Sequence, residues 1–194
     1  MGNVKPAIDG QNSVQIFYVY GTSLHLRNLI LRNGKISELR RAEEVDHCTY
    51  GCNSGGAVSI VGSATFYDVD FLYNNAKGMA TPYGEDKVGG GAVALYGGEA
   101  IFQRCKFSGN KANPNYQGGG GGAILVTYLS EVYIFNSTFE GNDADEGGEN
   151  TRGGAILVQD SQTVLEIERC TFRNNSAYYE YNLDGVGGGG VCFL

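Results

Sequence analysis

The six residues GGAILV at 121–126 have close variants elsewhere in the chain: GGAVSI at 55–60, GGAVAL at 90–95, GGAILV at 153–158 and GGVCFL at 189–194. Downstream of each of the first four lies a second signature, F-x-x-N-x-A: FLYNNA (71–76), FSGNKA (107–112), FEGNDA (139–144) and FRNNSA (172–177). From Ala57 to Ala92, Ala123 and Ala155 the steps are 35, 31 and 32 residues, and the Phe anchors step by 36, 32 and 33. Periods of this size point to a solenoid, a propeller or an array.

The pattern inside each unit chooses among these. Apolar residues alternate with period two in three short bursts, as in Ile124/Val126, Val132/Ile134 and Ser137/Phe139. Such bursts are strands, too short for amphipathic helices. Three short strands per unit with a bend between each describe one coil of an all-β, single-stranded parallel β-helix, with about five coils stacked at about 4.8 Å.

Register then predicts columns of like residues running through the interior. One is Leu31, Phe71, Phe107, Phe139, Phe172; a second is Leu26, Phe66, Phe102, Ile134, Ile167; a third is Phe17, Val58, Val93, Ile124, Ile156, Cys192. All are apolar, as an inward position demands, and burying each large side chain contributes about 1.5–3 kcal/mol. The columns expose a degenerate first coil in 17–36. They also align Gly34 with Asn74, Asn110, Asn142 and Asn175, which predicts a left-handed bend at that position, since Gly and Asn accept positive φ readily. Asn adds the prospect of side-chain hydrogen bonds up the stack.

Composition agrees with one repeat domain over 1–194, interrupted by a loop or short-helix insertion at 37–54. The chain has 31 Gly, 13 Tyr, 3 Pro and no Trp, and the glycines cluster at fixed places between β-rich segments. A net charge of −7 without a Lys/Arg stripe argues against nucleic acid, whose phosphates require a basic surface. No apolar run approaches the ~20 residues of a membrane span, and the N-terminus lacks the basic and apolar regions of a signal peptide. The final GGVCFL supplies the first strand of a new coil with no cap, which suggests a fragment of a longer solenoid, or an edge that meets another copy end to end or laterally.

The repeated GGA[IV] and F-x-x-N-x-A resemble the repeats of polymorphic outer membrane protein passenger domains. The opening IDG…FYVYGTSLHLRNLILRNG is similar to the first coil of extracellular right-handed parallel β-helix proteins of the pectate-lyase-like superfamily. The resemblance spans roughly residues 8–194 and implies a right-handed helix, with an extracellular or cell-surface location as part of a longer protein. Its functions range over adhesins, structural surface proteins and polysaccharide enzymes. In the lyases it implies an active site on the outer face of one sheet, with carboxylate ligands for calcium and an Arg or Lys base.

Outward positions weigh against that chemistry on the first strand. They read Ala57/Ser59, Ala92/Ala94, Ala123/Leu125, Ala155/Leu157 and Val191/Phe193, none ionisable, so this strand is expected to be covered on both faces. The second strand presents His25, Thr65, Ile101, Tyr133 and Glu166; the third presents Ile30, Asp70, Lys106, Thr138 and Thr171. A calcium-assisted polysaccharide lyase or hydrolase, the alternative reading, has only Asp70, Lys106 and Arg104 to draw on.

The connections after each F-x-x-N-x-A leave one corner of every coil, and loops held by a rigid scaffold are where recognition usually resides. They are acidic and tyrosine-rich. The candidate binding residues are Tyr83, Glu85, Asp86, Tyr116, Asp143, Asp145, Glu149, Tyr178, Tyr179 and Tyr181, suited to carbohydrate or a basic protein surface. The leading expectation is therefore a scaffold, leaning away from an enzyme, that presents these loops for adhesion, carbohydrate binding or protein binding, with no cofactor required.

Asp143 and Asp145 open a stretch, DADEGG, like the start of a calcium loop, but the twelfth position is Gly154 where a bidentate Glu belongs. In the insertion, His47, Cys48 and Cys52 make an incomplete zinc set, and Cys48–Cys52 is a candidate disulfide in an oxidising compartment. Cys105 and Cys170 fall in one interior column with Ser137 between them, too far apart to bridge. Asn136-Ser137-Thr138 and Asn174-Asn175-Ser176 match glycosylation acceptors.

Overall fold

The computed structural model describes residues 4–36, 54–79, 89–115, 120–144, 152–177 and 189–193, with the side chains of 78, 79, 114 and 115 left aside. A short strand, β1 (Ala7–Asp9), precedes the coils. Coil 1 holds β2 (Phe17–Arg32) and β3 (Lys35–Ile36); coil 2 holds β4 (Val58–Leu72) and β5 (Asn75–Met79). Coil 3 is β6 (Val93–Gln103), β7 (Lys106–Ser108) and β8 (Lys111–Asn115); coil 4 is β9 (Ile124–Phe135), β10 (Thr138–Glu140) and β11 (Asp143–Ala144). Coil 5 comprises β12 (Ile156–Val158), β13 (Val164–Glu168), β14 (Thr171–Arg173) and β15 (Ser176–Ala177), and β16 (Val191–Phe193) starts another. Each paired segment runs parallel to its counterpart in the next coil, in one eleven-stranded and one five-stranded sheet.

The predicted columns form. Leu31, Phe71, Phe107, Phe139 and Phe172 are consecutive register partners, as are Leu26, Phe66, Phe102, Ile134 and Ile167. Rings 71, 107, 139 and 172 stack face to face at 4.6–4.7 Å within 3° of parallel. That spacing is the strand repeat itself, so one Phe per coil at fixed register yields a continuous pile. Phe66 and Phe102 meet this pile edge-on at 5.3 and 5.5 Å, and the two columns merge into one core.

Four features depart from the sequence reading. Each coil carries a fourth parallel segment beyond the three expected, formed by the N-x-A residues; β3, β5, β8, β11 and β15 make up the five-stranded sheet. The end of the third column is Val191, which pairs with Ile156, while Cys192 pairs with Leu157 on the opposite face. The substitution of Val for Ala in GGVCFL hides that one-residue slip, and a slip of one inverts inside and outside. Ala57, Ala92, Ala123 and Ala155, assigned outward, belong to the interior cluster and are fully buried.

The fourth difference concerns the bend. Positive φ falls one residue earlier than the asparagine column, at Asn33, Tyr73, Gly109, Gly141 and Asn174. The asparagines instead turn inward as a hydrogen-bonded ladder. Asn110 Oδ1 accepts from the Asn74 backbone N–H (3.1 Å) and Nδ2 (3.0 Å), while its own Nδ2 donates to the Phe71 carbonyl (3.0 Å) and Asn142 Oδ1 (2.9 Å). Asn74, Asn142 and Asn175 repeat the scheme, and Gly34 closes it by donating its N–H to Asn74 Oδ1. A carboxamide carries an acceptor oxygen and two donor hydrogens, so one side chain accepts from the rung before it, donates to the rung after and still donates to a backbone carbonyl, which is why Asn recurs.

The GGA motif has its own cause. Its first glycine (55, 90, 121, 153) has φ between +64° and +73°. At its second, a Cβ on Gly91 would lie 2.5 Å from Lys111 N, and the same clash repeats at Gly56, Gly122 and Gly154 against Asn75, Asp143 and Ser176. Glycine there lets the fourth segment close against the start of its own coil.

Candidate functional site

The fourth segments place the loop-bearing corner. β5, β8, β11 and β15 lie side by side in one sheet, so the connections that follow Met79, Asn115, Ala144 and Ala177 start from one edge of the stack. Three of the return points are also aligned: Gly89 bridges Gly120, and Gly120 bridges Arg152. Tyr83, Glu85, Asp86, Tyr116, Asp145, Glu149, Tyr178, Tyr179 and Tyr181 lie outside the described residues, as do Cys48 and Cys52.

Asp143 is the candidate loop residue that is described. It stands on β11, half-buried, opposite Lys111 on one side and Ser176 on the other. The Ser176 hydroxyl donates to its Oδ1 at 2.7 Å. Ala144 beside it turns inward and is fully buried, so Asp143 faces out at the root of the 145–151 connection. Among the described residues no three His, Cys, Asp or Glu side chains gather as a metal set.

The outer face of the first strand is covered, as its composition requires. Ala94, Leu125 and Leu157 are fully buried there and pack with Tyr96, and with Val61, Tyr128 and Cys192 at the margin. A polar knot that sequence reading missed closes its far end. Asp160, at φ +89°, accepts from the Thr127 hydroxyl (2.7 Å) and the Tyr128 backbone N–H (2.8 Å). Ser130 Oγ accepts from the Gly97 N–H and donates to the Thr127 carbonyl. Nothing in the spacing of these residues announces the knot, because coil lengths differ between the first and second strands.

Two of the three residues assembled for the enzymatic alternative are held by other side chains. Asp70 is bound by Lys5 Nζ at 2.6 Å, and Lys106 stands opposite Asp70 in the next coil. Arg104 forms a two-pronged bond to Asp68 (2.8 and 2.6 Å) and lies 4.0 Å over the Tyr67 ring, whose other neighbour is Arg27 at 4.5 Å. The Arg104 bonds hold the Asp68 carboxyl below its ordinary value of 3.8. Asp68 and Arg104 occupy a second left-handed column with Asn28, Asn136 and Arg169, a bend whose residue types share no sequence signature.

The cysteine column is as expected. The Cys105 N–H donates to Ser137 Oγ (3.0 Å), and the Ser137 N–H donates to Cys170 Sγ (3.4 Å). Both thiols are free, and burial pushes Cys105 up to about 12. Burial raises the Cys170 thiol as well, which favours the protonated, less reactive form at both positions.

Stacked parallel coils with an internal asparagine ladder define a parallel β-helix protein. The chain belongs to the right-handed β-helix family: the family model described as a right handed beta helix region matches residues 8–193. No curated protein matches the chain. No solved structure matches it either.

Proposed function

We propose that the protein is a β-helix scaffold that presents its acidic, tyrosine-rich connections for adhesion, binding carbohydrate or a basic protein surface. One observation carries this reading: four connections spring from adjacent strands of a single five-stranded sheet, so a rigid stack sets their relative positions. Attachment at aligned points on one rigid stack lowers the cost of bringing several connections to a shared partner, compared with independent tethering. The buried, non-ionisable outer face of the first strand supports a scaffold over a lyase-type site on that face, and the engagement of Asp70 by Lys5 and of Arg104 by Asp68 points the same way. The polymorphic outer membrane protein resemblance, and placement at a cell surface as part of a longer protein, belong to the same proposal.

The test is a glycan and basic-protein binding screen on the whole chain, repeated with residues 145–151 replaced by Gly/Ser. Binding that falls with the replacement supports the reading. Binding that the replacement leaves untouched removes this connection from the account.

A further inference from the structure

The second strand of each coil, carried by β2, β4, β6, β9 and β13, turns one face to solvent, and its register runs without a shift from coil to coil. The outward residues make two columns. One is His25, Thr65, Ile101, Tyr133, Glu166; the other is Arg27, Tyr67, Gln103, Phe135, Glu168. The four end members, His25, Arg27, Glu166 and Glu168, are exposed, and the residues between them are half-buried.

This face changes sign along the stack. Coil 1 contributes Arg27 and His25, whereas coils 4 and 5 contribute Glu131, Glu166 and Glu168. Among the described residues Arg27 lies 4.5 Å over the Tyr67 ring and makes no ion pair, and Glu166 makes none either. Glu168 has Arg169, the next residue of the chain, at 2.9 Å. Between the charged ends Ile101 stands opposite Tyr133, with Phe135 two residues further along the same strand, an apolar centre.

A two-fold axis along the second strand of coil 3 makes the face complementary to itself. Rotation about it reverses the coil order and keeps the strand direction, so coil 1 of one copy lies over coil 5 of the other and coil 2 over coil 4. Arg27 then faces Glu168, His25 faces Glu166, Tyr67 faces Phe135 and Thr65 faces Tyr133, each twice, because a two-fold repeats every contact. Ile101 and Gln103 meet their own counterparts on the axis, the first as an apolar contact and the second as an amide pair that donates and accepts. Sheets packed face to face lie about 10 Å apart, a gap that side chains from both sides fill. Glu99, the neighbour of Glu131 at the margin of the face, is the one group that opposes the arrangement, since it faces the other copy's Glu99. The overlap is about 24 Å along the stack by about 17 Å along the strands, or about 400 Å² of face per copy, the size of a weak and reversible contact.

From this self-complementarity we propose that two copies of the chain pair through the outer face of the second strand, with their stacks running in opposite directions. The contact closes on itself, so the product is a dimer and no larger. The inference uses a face remote from the connections and stands apart from the adhesive reading.

Sedimentation velocity of the whole chain over a wide concentration range is expected to show monomer and dimer alone. Arg27→Glu sets carboxylate against carboxylate twice in the dimer and is expected to weaken it by about tenfold or more. Glu168→Arg does the same with cations. An equimolar mixture of the two variants restores dimerisation, because both contacts of the mixed pair then join opposite charges. Ile101→Asp puts two carboxylates on the axis and abolishes the dimer, while the thermal unfolding of the monomer stays as in the parent chain. Glu99→Gln removes the one repulsion and tightens the dimer. Monomer at every concentration hands this face to a different occupant and overturns the proposal. So does a series of larger oligomers, a dimer that Arg27→Glu and Ile101→Asp leave intact, a mixture of the charge variants that fails to recover, or a Glu99→Gln chain that pairs no more tightly.

Discussion

At the scale of single residues, the chain relies on groups that satisfy more than one neighbour. Asn110 is fully buried and its amide makes four bonds, so Asn110→Ala strands the Asn74 N–H and the Phe71 carbonyl without water. Orphaned buried groups cost about 1–3 kcal/mol each, and chemical denaturation is expected to show a loss of about 2–4 kcal/mol. Asn110→Asp is expected to lose more at neutral pH, because its second oxygen faces the Phe71 carbonyl and Asn142 Oδ1, two acceptors. The Asp68–Arg104 pair gives a pH signature of the opposite kind. A carboxyl held below its ordinary value stabilises the fold fully above that value, and the contribution fades as pH falls through the lowered one. NMR titration is expected to place Asp68 below 3.8 in the native chain and to return it toward 3.8 in Arg104→Gln. An unchanged Asp68 titration in that variant would remove Arg104 as the cause.

At the scale of elements, the glycines test why the motif is spelled as it is. Gly91 has no room: a Cβ would lie 2.1 Å from the Gly122 carbonyl and 2.5 Å from Lys111 N. Gly141 has open space around it and only its φ of +62° to object. Gly91→Ala is accordingly expected to cost more than ~3 kcal/mol, against about 1 kcal/mol for Gly141→Ala, in parallel thermal melts. Equal costs would mean that backbone conformation, not close approach, fixes GGA. The strands themselves were legible because alternation and a fixed period both speak of side chains. The fourth segment was not: it contributes one inward apolar residue, Ile36 in coil 1 and Ala in the others, and is only two to five residues long, too short to alternate. The left-handed bends were displaced by one residue for a related reason. Asn suits both positive φ and amide ladders, and composition alone does not separate the two uses.

At the scale of the whole molecule, like residues piled in register set everything else: the buried outer face of the first strand and the common edge for the connections. The columns were readable from spacing, apart from the slip that put Cys192 where Val191 stands. The candidate site was readable only as a place, because the corner is a property of the repeat whereas the chemistry lies in connections that differ in every coil. The register claim is tested most directly by cysteine trapping on the outward third-strand column, followed by peptide mass analysis of the intact, oxidised chain. Lys106→Cys with Thr138→Cys stand opposite each other in adjacent coils and are expected to form a disulfide. Asp70→Cys with Thr138→Cys are two coils apart, about 9.6 Å at the strand repeat, and are expected to stay reduced. Bridging of the second pair, or failure of the first, would contradict the stack.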